Sequence, residues 1–376
     1  MPISLLLSAG EASGDMYAAR LATEIKKRVD VEIFGMGGPE MRAAGVEVIT
    51  DYSEVAVLGI TEIISHLPSL VRAMRRLVNE ARRRRPVLAI LTDFPGFHLR
   101  LARKLKPFGI KNVYFVCPQF WAWRPWRVRV VRRRFAQALC IFPFEEKFYG
   151  QAGVPTKFIG HPLVGLVRAT LSRAEFAQQH GADPARPIVT LLPGSRMGEI
   201  ARHLPTMLAA CAKLKKPGRE PTFIVAVAPG LAPSYIKRFL DLSGVGAVVV
   251  RGETYNALAA ADAALVCSGT ATIEAALLDV PMAVVYRVTP LTATLAKPLL
   301  RTKFFSMVNL IAGRPVLTEL IQDDFTPESA AREMQRLLDS PEARARLRAG
   351  LAEVRDQLGP PGAVARAAEA IVELLR

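Results

Sequence analysis

Eleven short apolar runs, most of them rich in β-branched residues, recur along the chain with helical patterns between most of them, and no other feature limits the fold so tightly. They lie at 3–8, 31–34, 87–91, 112–116, 139–142, 157–159, 188–192, 222–226, 247–250, 264–266 and 282–286. Strands separated by helices are joined as crossover units, so the expected class is α/β with doubly wound parallel sheets. Eleven strands exceed one sheet of ordinary size. The pattern restarts after Gly160-His161-Pro162, which predicts two domains, 1–160 and 161–360. The last 60 residues or so read as helical, and Gly359-Pro360-Pro361-Gly362 breaks off a final helix, 361–376, expected to complete the first domain. A chain of 376 residues that is 51% hydrophobic has material for two cores.

The charge is uneven. Between Arg72 and Arg134 stand 18 Lys or Arg against two acids, Glu80 and Asp93, so this window carries the whole net excess of +16. A local basic block suggests one face built for an anionic partner, with nucleic acid and an anionic membrane both eligible. Within it, Leu67, Leu70, Val71, Met74, Leu77, Val78 and Ala81 follow helical spacing, with arginines largely elsewhere on the wheel. That is either an ordinary core-facing helix with a solvated side or a membrane-surface element. Trp121, Trp123 and Trp126 lie beside Arg124 and Arg127, which suits an interface, a stacked base or plain core burial. The opening MPISLLLSAG lacks a basic n-region, and no uncharged run of transmembrane length stands out. Four well-separated cysteines suggest a reduced, cytoplasmic protein.

Three strand ends carry the chemistry. In AGEASGD, a strand runs through a Gly-bracketed turn into a helix, a shape that often cradles phosphate. Here Glu11 and Asp15 occupy the place a phosphate would take, and neither a Walker lysine nor G-x-G-x-x-G is present. With Ser13 able to cap the helix, the loop suits hydroxyl or amine donors such as a sugar offers; a capped helix start with no substrate role is the plainer alternative. In LLPGSR, Gly194 and Ser195 permit close backbone approach and Arg196 supplies a planar cationic fork for phosphate oxygens. In CSGTATIEAAL, Ser268, Gly269 and Thr270 open a second helix, and Glu274 sits about 6 Å along its axis, placed to accept from ribose hydroxyls. Asp93, directly after a buried run in LTDFPGF, reads as a general base or as a loop or capping acid, with His98 its orienter or a capping or core residue. The five histidines form no H-E-x-x-H or cluster, so no protein-held metal is expected.

AGEASGD, LTDFPGF, PQFWAWR, FIGHPL, LLPGSR, SGTATIEAAL, YRVTPLTATLAK and NLIAGRPVLTEL resemble, in this order, the motifs of the lipid-A-disaccharide synthase family, from Ser8 to about Leu320. The resemblance implies a GT-B glycosyltransferase: two Rossmann-like domains facing a central cleft, inverting, needing neither metal nor cofactor. Such enzymes join UDP-2,3-diacylglucosamine to 2,3-diacylglucosamine 1-phosphate (lipid X), giving a β-1,6 disaccharide 1-phosphate and UDP. By motif, Asp93 matches the family's essential acid and candidate base, with Glu11, Ser13 and Asp15 beside it. Arg196 matches the phosphate-binding arginine, with Gly194, Ser195, Ser268, Gly269 and Thr270 around the UDP. Glu274 matches the ribose acid and Asn309 an active-site asparagine, and His161, Arg287 and Trp123 fall in motifs expected to meet substrate. Gly96 stands where many members carry a second acid, and Gln119 where many carry Ser. Acylated substrates imply docking of the basic block on the cytoplasmic face of a Gram-negative inner membrane, without nucleic acid. A homodimer is compatible with the sequence. A UDP-N-acetylglucosamine 2-epimerase, a soluble glycosyltransferase and a basic nucleic-acid-binding protein remain alternatives.

Overall fold

A computed structural model describes residues 2–55, 62–214, 220–228, 230–289, 292–294 and 302–375, without the side chains of 62–66 and 123. The chain divides into two compact units, one of Met1–Val164 with Leu358–Arg376 and one of Gly165–Gln357. The division falls a few residues from the expected 160 and 361. The two crossing strands of chain are tied to each other within the first unit: His161 N–H donates to the Leu358 carbonyl at 2.8 Å, and Arg366 Nε to the Ile159 carbonyl at 2.8 Å.

The first unit runs β1 (Ile3–Ala9), α1 (Ala12–Lys26), β2 (Val31–Gly37), α2 (Pro39–Ala43), β3 (Glu47–Asp51), α3 (Glu62–Arg84), β4 (Leu88–Thr92), α4 (Pro95–Leu105), β5 (Lys111–Phe115), α5 (Phe120–Trp123), α6 (Val128–Arg134), β6 (Gln137–Cys140), α7 (Pro143–Gln151) and β7 (Thr156–Phe158). Its strands pair in parallel in the order β3-β2-β1-β4-β5-β6-β7. The middle strands are covered on both faces by helices, which is why they read as unbroken apolar runs: Leu5, Leu6, Leu7, Leu88, Ala89, Ile90 and Leu91 are all fully buried. Burial of each leucine contributes roughly 1.5–3 kcal/mol.

The second unit runs α8 (Arg173–Gln179), β8 (Ile188–Leu192), α9 (Met197–Leu214), β9 (Thr222–Val227), α10 (Pro233–Ser243), β10 (Val248–Arg251), α11 (Thr254–Ala259), β11 (Ala263–Cys267), α12 (Thr270–Leu277), β12 (Met282–Tyr286), α13 (Met307–Ala312), β13 (Glu319–Ile321), α14 (Pro327–Asp339) and α15 (Pro341–Gln357). Its sheet is also parallel, ordered β10-β9-β8-β11-β12-β13. The last helix, α16 (Ala363–Glu373), returns to the first unit and lies on α1. Its buried face is Ala363, Ala367, Ala368, Ala370 and Ile371, small enough for the two helices to approach closely.

The amphipathic stretch at 67–85 divides its roles along its length. Met74, Leu77 and Ala81 of α3 are buried in the core of the first unit. Leu67 and Val71, one turn apart at its start, are 56% and 40% exposed. Of the arginines there, Arg76 pairs with Glu54 and Arg84 with Glu47 and Glu80, whereas Arg72 and Arg75 make no ion pair among the described residues. No described helix is long and apolar enough to cross a membrane.

Candidate active site

In each sheet the strand order reverses once, and in open α/β sheets ligands bind at the carboxyl ends beside such a reversal. In the first unit the reversal lies between β1 and β4, whose last paired residues are Ala9 and Thr92. The next residues carry acids. Glu11 is exposed at the N-cap of α1, and Asp93 is half-buried at the end of β4. Burial pushes the Asp93 carboxyl up to about 6, and the nearby Glu11 charge pushes the same way. Gly10 is needed between them because the Phe94 ring lies where a side chain would start, 2.3 Å from a Cβ placed there.

Asp15 and Ser13 depart from expectation. The helix begins at Ala12, so Ser13 lies inside its first turn and does not cap it. Asp15 is buried with its carboxylate turned to the next crossover, accepting from the backbone N–H groups of Gly38 at 2.6 Å, Glu40 at 3.0 Å and Met41 at 3.4 Å. It satisfies the open amides at the start of α2 rather than waiting for a substrate hydroxyl. Asp15→Ala should therefore lower the stability of this unit by about 3 kcal/mol, seen as a fall in Tm, and activity measured well below that Tm should stay within a few-fold of the parent.

In the second unit the reversal lies between β8 and β11, where the two small-residue turns stand side by side. Gly194 takes a φ of 122° that disfavours any side chain, and its α-carbon faces Glu199. The Glu199 carboxylate accepts from Ser195 N–H at 3.1 Å and Arg196 N–H at 3.3 Å, and meets the Arg196 guanidinium at 3.4 Å. Opposite, Gly269 caps α12, Thr270 opens it, and Ser268 Oγ donates to the Phe305 carbonyl at 3.0 Å. Glu274, one turn in, accepts from the Tyr255 hydroxyl at 3.1 Å; burial raises its carboxyl, against the lowering by that bond.

Two of the expected substrate residues in this unit are spent on its own loops. The guanidinium of Arg287 donates to the carbonyls of Gln322 and Phe325 and to Thr206 Oγ1. Asn309 is buried, and its Nδ2 donates to the Leu317 carbonyl and Glu319 while its Oδ1 accepts from Val316 and Leu317 N–H, which uses the whole amide. Both anchor loops of their own unit through these bonds. His161, in the first unit, is buried against the Phe142 ring, accepts from Leu163 N–H at 3.2 Å, and is driven by burial down to about 3, so it stays neutral. The Trp123 side chain lies outside the described residues. Among the described residues no group of three His, Cys, Asp or Glu gathers to hold a metal.

Sequence reading missed the residues that fix these loops. His203 of α9 donates from Nδ1 to the Pro193 carbonyl at 2.9 Å and accepts at Nε2 from Arg287 N–H at 2.9 Å, joining the ends of β8 and β12. Burial lowers its pKa and so favours the neutral ring that this pairing needs. Glu319 takes Phe305 and Ser306 N–H at 2.9 and 2.8 Å, holding the segment to which Ser268 bonds. Glu319 shares a motif with Asn309, a signal that was there to read; a lone histidine in mid-helix gave none.

A sequence model of the family described as Lipid-A-disaccharide synthetase matches residues 5–368. The chain belongs to the lipid-A-disaccharide synthetase family. Among its relatives, the lipid-A-disaccharide synthase of Solibacter usitatus is 48% identical over 374 residues, covering 99% of this chain and 97% of the relative. That of Myxococcus xanthus is 43% identical over 377 residues, covering 100% and 98%. Solved structures share the fold at low identity. The calicheamicin glycosyltransferase CalG4 superposes with a TM-score of 0.61 at 18% identity, covering 100% of this chain and 98% of that one. The UDP-GlcNAc 2-epimerase of Neisseria meningitidis, bound to UDP-GlcNAc, gives 0.61 at 11%, covering 100% and 99%. The chain is thus a glycosyltransferase of lipid A biosynthesis with two Rossmann-like units of the GT-B kind.

Proposed function

We propose that this member of the lipid-A-disaccharide synthetase family moves 2,3-diacylglucosamine from UDP to the 6-hydroxyl of 2,3-diacylglucosamine 1-phosphate, inverting the anomeric centre in one displacement. The observation that carries the base assignment is Asp93: a carboxylate at the sheet reversal of the first unit, with its proton affinity raised toward neutrality. Asp93 accepts the acceptor hydroxyl's proton as that oxygen bonds to the anomeric carbon, and the bond from that carbon to the diphosphate oxygen breaks. Charge gathering on departing UDP is met by the Arg196 guanidinium and by the N-terminus of α12 at Ser268, Gly269 and Thr270. Glu199 already holds the amides of Ser195 and Arg196, so the side chain of Arg196, not those amides, is the group assigned to the diphosphate. Glu274 accepts from the ribose hydroxyls.

Four acyl chains cannot be left in water at about 0.8 kcal/mol per CH₂, so the reaction needs a lipid surface. The exposed Leu67 and Val71 with Arg72 and Arg75 beside them, and Trp126 at 60% exposure, suit the anionic cytoplasmic face of the inner membrane. These exposed apolar and basic groups argue against a soluble-sugar epimerase, which has no use for them. Co-sedimentation with anionic vesicles but not neutral ones is the expected result, and tight DNA or RNA binding without vesicle binding counts against it. For the chemistry, the test is the pH profile of kcat. A base must be unprotonated, so the rate should rise with pH through about 6, the Asp93 value, and level off above it. A limb near the ordinary carboxylate value of about 4 would speak against Asp93.

A further inference from the structure

We propose that His98 and Tyr114 are positioning residues for the transfer, holding the main-chain carbonyl of Asp93 so that its carboxylate is presented at the β1–β4 reversal. The inference rests on the reading of Asp93 as base and deepens it. Asp93 and Phe94 both take left-handed backbone conformations, with φ of 50° and 44°, and neither is glycine. Each such residue costs about 1–2 kcal/mol, and two in succession persist only where their surroundings fix them.

The surroundings here converge on one atom. The Asp93 carbonyl accepts from His98 Nδ1–H at 2.8 Å and from the Tyr114 hydroxyl at 2.9 Å. The other ring nitrogen of His98, Nε2, accepts from the Ser8 hydroxyl at 2.8 Å, which leaves Nδ1 as the donor. Ser8 comes from β1, His98 from α4 and Tyr114 from β5, so three elements flanking β4 brace the residue that follows it. All three side chains are fully buried. Burial drops the His98 imidazole to about 4, so the ring keeps this one neutral pairing across the working range. The Asp93 N–H is also held, by the Phe115 carbonyl at 3.3 Å, and the Phe94 ring is seated against Phe97 and over Gly10. A buried His–Ser–Tyr set is ordinary core furniture when its bonds point at each other. Two donors on the carbonyl of a doubly strained turn that carries the proposed base are a device for aiming it.

The test uses Tyr114→Phe, which removes one hydroxyl and keeps the ring against Phe135, with Ser8→Ala as a second variant that releases the His98 ring from its other side. The titratable groups facing Asp93 are Glu11, His98, Tyr114 and Glu145; burial drops His98 to about 4, lifts Glu145 to about 8 and lifts the Tyr114 hydroxyl well above its ordinary value, so a limb near 6 is read as Asp93. Each variant should lower kcat about tenfold, the rate equivalent of one lost hydrogen bond, with KM for the UDP-sugar within about twofold. The acid limb of kcat should move below 6 as Asp93 loosens toward water. In an Asp93→Asn background the same substitutions should leave the residual rate unchanged. Unaltered kcat and limb below the Tm, or a further tenfold loss without the Asp93 carboxylate, would overturn the assignment. Full turnover by Asp93→Asn alone removes the base reading and the brace with it; a crippled Asp93→Asn beside an unaffected Tyr114→Phe and Ser8→Ala removes only the brace.

Discussion

Asp93→Asn is expected to lower kcat by about 10³-fold, within the range that positioned proton transfer supplies, while UDP affinity stays within about twofold. The separation follows from where the groups lie. Asp93 belongs to the first unit, and every group assigned to UDP belongs to the second. The amide keeps the shape and half-buried setting of the carboxylate but cannot take a proton. Titration calorimetry with UDP and steady-state kinetics on the same preparation read the two quantities. Full turnover in the variant would shift suspicion to Glu11, the other acid at this reversal; Asp15 is no rival, since three backbone amides already occupy its carboxylate.

Arg196→Ala should weaken UDP binding by roughly 10–100-fold, the worth of one hydrogen-bonded charge lost from a diphosphate site. It should also lower kcat, because charge on the diphosphate grows as the bond to the sugar breaks and the missing cation is felt most there. Arg196→Lys should recover only part of the affinity, since an ammonium offers a point charge and not a planar fork. Removing the guanidinium also leaves Glu199 without its cationic neighbour at 3.4 Å, though its bonds to the Ser195 and Arg196 amides remain. Glu199→Gln serves as the control: it keeps the loop's acceptor and removes a negative charge, so UDP should bind as well as to the parent or better. An unchanged Kd in Arg196→Ala would take that residue out of the diphosphate site.

The sheets were most legible where strands are buried on both faces. Each of the eleven expected runs corresponds to a strand, within a few residues at its ends. The two strands that went unread, β3 with sequence EVITD and β13 with ELI, each lie at one edge of their sheet and carry acids, whereas β7 and β10 at the opposite edges were read. An edge strand pairs on one side only and tolerates charge, so its composition looks like a loop. Residues whose role depends on what immediately precedes them, Asp93, Arg196 and the 268–270 turn, could be placed at strand ends from sequence. Roles that depend on distant partners could not. Asp15 is bonded to a loop 23 residues away and Arg287 to carbonyls 35 and 38 residues on. A motif marks such a residue as needed without saying whether it touches a ligand or its own backbone. The same limit hid His203, whose partners are loops from two different strands.

The central claim is tested most directly by mixing the protein with UDP-2,3-diacylglucosamine and 2,3-diacylglucosamine 1-phosphate in anionic vesicles and following both products by mass, with the anomeric configuration read by NMR. The expected outcome is one UDP for each disaccharide 1-phosphate, the new linkage β and joined at the 6-hydroxyl, and no release of UDP when the acceptor is left out. UDP freed without coupling, an epimerised UDP-sugar, or an α-linked disaccharide would contradict it.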